Sequence, residues 1–394
     1  MAGRLHVAHM LVSGEEDGIG LHVLDLAHAQ LAEGDVEPLV LSSPSHGYAR
    51  RLTSAGIPVL PGRGVRLGAA LPYYARLDLG RLGIDLVHLH GYRASHLLPA
   101  LRLLGTDGWR RLPLVATCHG WVERSPRRRA RAWLERSSYR RLGLLIACSV
   151  EQVERLAAAR PRLPVAYVPN GVALDRVRPA GQPWRHRLRA RYGLPADAQV
   201  VAAIGRLAPE KRLDVFLDAC RRIHRQRPGT YFLIVGEGPE RWRLEALARR
   251  FRLAAHVRFT GMVDDVPAIC AGITLLLHSA DVEGTPRAVL EAMAAGVPVV
   301  ATAVGGLPWM IEHPSEGVLV PRGDAAALAQ QALRLLANPE ARAALGRRAR
   351  HRVAAEFTIG SMRQRVEASY RYALTRGTPA TGSAGAPSTR TVSL

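Results

Sequence analysis

Short apolar runs alternate with longer amphipathic ones along almost the whole chain, and this alternation restricts the fold more than any other feature. RLHVAHMLV reads as a strand, and GIGLHVLDLAHAQLAEG follows as a helix ending at a glycine. VEPLVLS, DLVHLH, LPLVATCH and GLLIACS read as further strands with helical segments between them. Such alternation implies βα units and a parallel sheet covered on both faces. The pattern pauses over 165–184, VAYVPNGVALDRVRPAGQPW, where Pro and Gly cluster and Asn170-Gly171 signals a turn. It then restarts: VVAAIGRL, TYFLIVGEG, HVRFTG, ITLLLHS and VPVVATA read as strands of a second sheet. The matching helices are predicted over 212–227, 239–250, 286–295, 324–337 and 339–354.

The expectation is therefore an α/β protein with two doubly wound domains, 1–175 and 176–358. The chain has 394 residues, too many for one compact core. A last helix is predicted over 359–375. The closing stretch 376–394, RGTPATGSAGAPSTRTVSL, is rich in Gly, Pro, Ser and Thr and is expected to be disordered.

The formal net charge of +21 implies attraction to something anionic: nucleic acid, an anionic membrane surface or a phosphorylated small molecule. The arginines are spread widely and no nucleic-acid motif is found, so nucleic acid is not the expected partner. A basic nucleic-acid-binding protein stays as the alternative from another class. No GxGxxG opens a helix after the first strand, which argues against a dehydrogenase. The four cysteines form no CxxC pair and are expected to be small buried hydrophobes. The N-terminus lacks the pattern of a signal peptide and no apolar stretch reaches the length of a membrane span. The expected location is cytoplasmic, with peripheral contact on the inner face of the membrane.

Ligands of open α/β sheets bind at the carboxyl ends of the strands. Two segments there carry chemistry. In IGRLAPEKRL, Arg206 follows a strand and Lys211 is expected at the start of the next helix. Lys211 is the only lysine in a chain with 54 basic side chains. Two such cations can neutralise a diphosphate, helped by backbone N–H groups at the helix start. A lysine offers a compact charge where arginine offers a planar fork. Read alone, the pair suits a solvated helix start equally well. In HSADVEGTPRAVLEAMAAGVPVVATAVGG, EGTP reads as a turn with Pro286 at the first helical position, and RAVLEAMAAG as a short helix closed by glycine. Seven residues separate Glu283 from Glu291, which puts one carboxylate at the mouth of the helix and the other more than a turn deeper.

GRLAPEK followed about 70 residues later by EGTPRAVLEAMAAGVPVVATAVGG resembles the signature of the retaining GT-B glycosyltransferases of family 4. VPNGV at 168–172, IVGEGP at 234–239 and TCHG at 117–120 resemble that family too, in the right order. The resemblance implies a GT-B fold, two Rossmann-like domains facing across a cleft, with the last helix crossing back to the N-terminal domain. It implies a nucleoside-diphosphate sugar as donor and a glycan or lipid-linked acceptor, in cell-surface polysaccharide or glycolipid synthesis. Arg206 and Lys211 would bind the diphosphate and stabilise the leaving group, and Glu291 would hold the ribose. Glu283 would contact the donor sugar, with Gly284, Thr285 and Pro286 beside it. His119 would stand beside the sugar. Members of the family usually carry two adjacent glycines before the first helix; here Asp17 and Gly18 take those places, and Gly18 would let the loop approach phosphate or acceptor. No Asp-x-Asp motif is present, and the resemblance implies no divalent ion and no cofactor. A nucleotide-sugar epimerase or a glycan phosphorylase would share the fold. Over 123–141, eight arginines are interleaved with Trp133 and Tyr139. This reads equally as a helix that meets anionic lipid and as an ordinary solvated helix.

Overall fold

The computed structural model describes residues 4–12, 18–33, 35–42, 47–61, 67–119, 142–159, 163–377 and 391–392. The basic segment 123–141 and the loop residue Asp17 lie outside the described residues. The chain divides into two compact units, one of residues 1–170 with 359–394 and one of 171–358. The sequence places that division at 175.

The first unit holds an all-parallel sheet. Its strands are β1 (Leu5–Leu11), β2 (Val36–Ser42), β3 (Val59–Pro61), β4 (Leu86–His90), β5 (Leu114–Cys118), β6 (Leu144–Ala147) and β7 (Val165–Tyr167), with β14 (Thr391–Val392) at one edge. The order is β14-β7-β6-β5-β4-β1-β2-β3, so the direction of winding reverses between β1 and β4. The helix Ile359–Gly377 belongs to this unit, and its Met362, Val366, Tyr370 and Ala373 pack with Val7, Leu26 and Ile146. β14 lies inside the tail that composition marks as disordered; at these two residues the backbone instead pairs with β7.

The second unit holds β8 (Gln199–Ile204), β9 (Thr230–Val235), β10 (Val257–Gly261), β11 (Leu275–His278), β12 (Val299–Thr302) and β13 (Val318–Val320). All are parallel, in the order β10-β9-β8-β11-β12-β13. This is the doubly wound dinucleotide-binding order, and its switch point lies between β8 and β11. Strand β8 shows why the sheet needs helices on both faces. Val200, Ala202 and Ile204 enter one core while Val201 and Ala203 enter the other. The period of two sends alternate apolar side chains to opposite faces, and each fully buried valine or isoleucine contributes about 1.5–3 kcal/mol.

The segment read as a pause contains β7 and the start of the helix Gln182–Arg191. A three-residue strand and a helix with six polar or charged residues of ten carry too little apolar periodicity to be read from sequence. All four cysteines are free and buried. Among the described residues no helix is long and apolar enough to cross a membrane.

Candidate active site

Arg206 and Lys211 come together at the switch point of the second sheet. They line a small pocket with Ile204, Gly205, His278 and Ser279 at the carboxyl ends of β8 and β11. The local backbone differs from the expected helix start. Lys211 closes a three-residue 3₁₀ turn, Pro209–Lys211, and the α-helix begins only at Leu213, after Arg212 in the left-handed region (φ 48°). A non-glycine residue in that region is strained by about 1–3 kcal/mol and needs support. Ser279 supplies it: its hydroxyl lies 3.0 Å from the Lys211 carbonyl and 2.9 Å from that of Arg212. Asp281 holds the Arg212 side chain from below at 3.2 Å and also meets Arg322 at 3.1 Å.

The Lys211 ammonium donates to Oε1 of Glu283, and Nε2 of His278 lies 2.8 Å from the same oxygen. Glu283 is nearly buried, which works to raise its carboxyl. The charge of Lys211 and the His278 contact outweigh that and hold it at about 2. Glu283 is therefore a fixed anion, not a proton donor, at neutral pH. Arg206 is half exposed and places one guanidinium nitrogen 2.7 Å from Oε1 of the buried Glu210.

The EGTP turn is held by the glycines that follow β12. A Cβ at Gly305 (φ 57°) would lie 1.9 Å from the Glu283 carbonyl oxygen, and the Gly306 amide donates to the Gly284 carbonyl at 3.0 Å. Only glycine permits that approach. A similar contact explains the glycines of IVGEGP: a Cβ at Gly238 would lie 2.4 Å from the Leu207 carbonyl, which lets this loop brace the segment carrying Arg206. Gly284, Thr285 and Pro286 are buried. Pro286 takes the position before the helix Arg287–Ala294 rather than its first turn, with extended ψ of 116°. Gly296 ends the helix as a left-handed glycine with the paired 2.9 Å bonds of a Schellman motif. Glu291 is buried in this helix, with Arg287 3.8 Å away.

Two of the sequence candidates belong to the first unit. His119 follows β5 directly. Its ring meets that of His22 edge-on at 4.7 Å and stacks near His90 at 5.9 Å. His22 is oriented by Asn170 of the VPNGV segment, Nδ1 to Oδ1 3.0 Å. Burial, together with His22, holds the His119 imidazole well below its ordinary range, so the ring is neutral at pH 7. Gly18 begins the helix Gly18–Glu33, and a side chain there would meet open space. The glycine that packing demands is Gly20, where a Cβ would sit 2.4 Å from the Tyr48 ring. Sequence reasoning missed Glu210, His278, Asp281, His22 and His90. His278 and His90 each end a strand and Glu210 stands four residues from its partner Arg206, which were usable signals; Asp281 and His22 depend on partners far along the chain.

Two family models match: glycosyltransferase family 4 over residues 17–176 and glycosyl transferases group 1 over 185–352. D-inositol 3-phosphate glycosyltransferase of Streptomyces bingchenggensis is 30% identical over 388 residues, covering 87% of this chain and 82% of that protein. The lipopolysaccharide core biosynthesis glycosyltransferase LpsE of Rhizobium meliloti is 31% identical over 170 residues. That match spans 43% of this chain and about half, 49%, of LpsE. Among solved structures, Anabaena HepE in complex with UDP-glucose superposes with a TM-score of 0.82 at 22% identity, covering 93% of this chain and 100% of that one. Two Rossmann-like units of this topology and these matches identify the fold as GT-B, and the chain belongs to glycosyltransferase family 4, the group 1 glycosyl transferases.

Proposed function

We propose that this glycosyltransferase moves a sugar from a nucleoside-diphosphate sugar to a glycan or lipid-linked acceptor, with retention of configuration and without a metal ion. The observation that carries the reading is the convergence of Arg206 and Lys211 on one pocket at the switch point of a dinucleotide-type sheet. As the donor bond breaks, negative charge grows on the diphosphate. Two fixed cations aimed at it stabilise that charge where it develops, which does the work a divalent ion would otherwise do. Lys211 is held in place by Glu283 and Arg206 by Glu210, so neither needs to reorganise when the charge appears.

The other roles follow from chemistry at each position. Glu283, ionised, accepts from hydroxyls of the donor sugar, and amides of Gly284 and Thr285 lie beside it. Glu291 accepts from the ribose. His119, neutral, orients the sugar by accepting a hydrogen bond from one of its hydroxyls, without taking the proton. The carboxylate of Glu283 already shares one oxygen with Lys211 and His278, which makes it a poor nucleophile, so transfer with the diphosphate taking the acceptor proton is favoured over a covalent enzyme intermediate. HepE was crystallised with UDP-glucose, which supports a nucleotide-sugar donor, and LpsE is a lipopolysaccharide core biosynthesis glycosyltransferase, which supports an acceptor of the glycolipid or polysaccharide kind.

The test is the anomeric configuration of the product, read by NMR coupling constants, from a reaction run in excess chelator. Retention at full rate is expected. An inverted product, or a rate restored only by added divalent ion, overturns this reading.

A further inference from the structure

We propose that His22, His90 and His119 form a binding site for one transition-metal ion of the zinc class. One nitrogen from each lies within 4.8 Å of those of the other two. His90 is the last residue of β4, His119 follows β5, and His22 sits in the helix after β1, so the cluster stands at the switch point of the first sheet.

The hydrogen bonds around the cluster fix which nitrogens carry lone pairs. Gln30 gives its amide nitrogen to the Tyr370 hydroxyl (3.5 Å), so its oxygen accepts from Nε2 of His9 at 2.9 Å. His9 is fully buried, and a neutral imidazole that carries its proton on Nε2 accepts at Nδ1. The donor is Nε2 of His90, 3.0 Å away. This leaves Nδ1 of His90 as a bare lone pair, buried and with no hydrogen-bond partner among the described residues. Nε2 of His119 likewise has no hydrogen-bond partner among the described residues, although its residue is only half buried. His22 donates Nδ1–H to the Asn170 oxygen, which makes Nε2 its ligand atom. The bonds from His90 to His9 and from His22 to Asn170 are those that orient imidazoles in metal centres.

A second triple, His9, His88 and His90, also brings one nitrogen from each ring within 4.8 Å of the others. It is a poorer site. Both nitrogens of His9 are engaged by Gln30 and His90, and both of His88 by Tyr370 and Thr117 at 2.8 and 2.7 Å. A metal there would displace at least one hydrogen bond of His9 and one of His88, whereas at His22, His90 and His119 it would satisfy the buried nitrogens of His90 and His119. Three imidazoles with no carboxylate select zinc, cobalt, nickel or copper over magnesium or calcium, and leave a fourth position open. The ion would not serve the diphosphate, whose charge is met in the second unit. On the transferase reading above it would occupy the His119 lone pair and therefore inhibit.

The test uses the chelator-treated full chain. Calorimetry with ZnSO₄ should show one ion per chain, MgCl₂ should give no heat, and CoCl₂ should produce the intense visible bands of a tetrahedral site. His22→Ala should weaken zinc binding at least tenfold while its metal-free melting temperature stays near that of the parent. Absence of one-to-one uptake and of cobalt bands in the parent overturns the proposal, as does a folded His22→Ala chain that binds zinc undiminished. If His22→Ala does not fold, Asn170→Ala is expected to weaken zinc binding and decides the matter in the same way. Inhibition of transfer by zinc is read separately: zinc uptake without inhibition leaves the site standing and counts against the role given to His119.

Discussion

The ammonium of Lys211 is held by the carboxylate of Glu283, across 72 residues of sequence, and His278 meets the same carboxylate oxygen at 2.8 Å. One contact thus ties the segment after β8 to the EGTP turn after β11. It is this tie that keeps a compact cation at the switch point, in a chain that uses arginine at every other basic lysine-or-arginine position.

Replacing Lys211 by arginine keeps the charge and changes its shape. The larger planar fork does not fit where a compact ammonium meets Glu283, and it would present its charge differently to the proposed diphosphate. Turnover is expected to fall about 10²–10³-fold, with the melting temperature little altered. Initial rates at saturating donor, paired with a thermal melt, give the answer. Near-normal turnover would show that the compact charge is unimportant.

Acid should weaken the second unit through Glu283. Its carboxyl lies at about 2 in the fold against 4.5 in its ordinary state. A depressed folded value means the stabilisation is fully present above 4.5 and is lost as pH falls from there toward 2. Over that window the loss is roughly 3 kcal/mol. The stability difference between the parent and Glu283→Gln should therefore shrink steadily as pH drops through this range. A difference independent of pH contradicts the ion pair.

Glu210→Gln tests whether Arg206 is positioned rather than merely present. The Arg206 side chain is 54% exposed, so the pair's contribution to stability is small. Its effect should fall on the donor: KM is expected to rise by up to about tenfold, equivalent to about 1.4 kcal/mol. An unchanged KM, or a large fall in melting temperature, would contradict it.

Two glycines of the first helix should respond oppositely to alanine. Gly20→Ala drives a methyl into the Tyr48 ring and should destabilise the protein by about 1–3 kcal/mol. Gly18→Ala meets nothing and should stay within about 0.5 kcal/mol. Denaturant titration distinguishes them, and any loss of activity in Gly18→Ala would then report on a bound substrate.

The βα alternation made the two sheets legible because a parallel strand buried on both faces reads as an apolar run. VEPLVLS coincides with β2 residue for residue. β3 and β13 have three residues each and fall below the length at which such a run stands out. Arg206, Lys211 and Glu283 were visible as motif residues, but the pairing of Lys211 with Glu283 was not, since nothing in a sequence states that two strand ends 72 residues apart are neighbours. The buried histidines were hidden for a different reason. His9, His88 and His90 occupy alternate positions of β1 and β4, on the face that Gln30 and Tyr370 cover, and that cover comes from helices at opposite ends of the chain.

The most direct test of the donor site is calorimetric titration of UDP, GDP and ADP into the chelator-treated protein, beside the Arg206→Ala/Lys211→Ala double variant. One of the diphosphates should bind with a stoichiometry of one, and the double variant should lose at least about 100-fold in affinity, about 2.7 kcal/mol, while still folding. Failure of all three to bind, or equal binding by a folded double variant, would contradict the assignment of these two cations to the diphosphate.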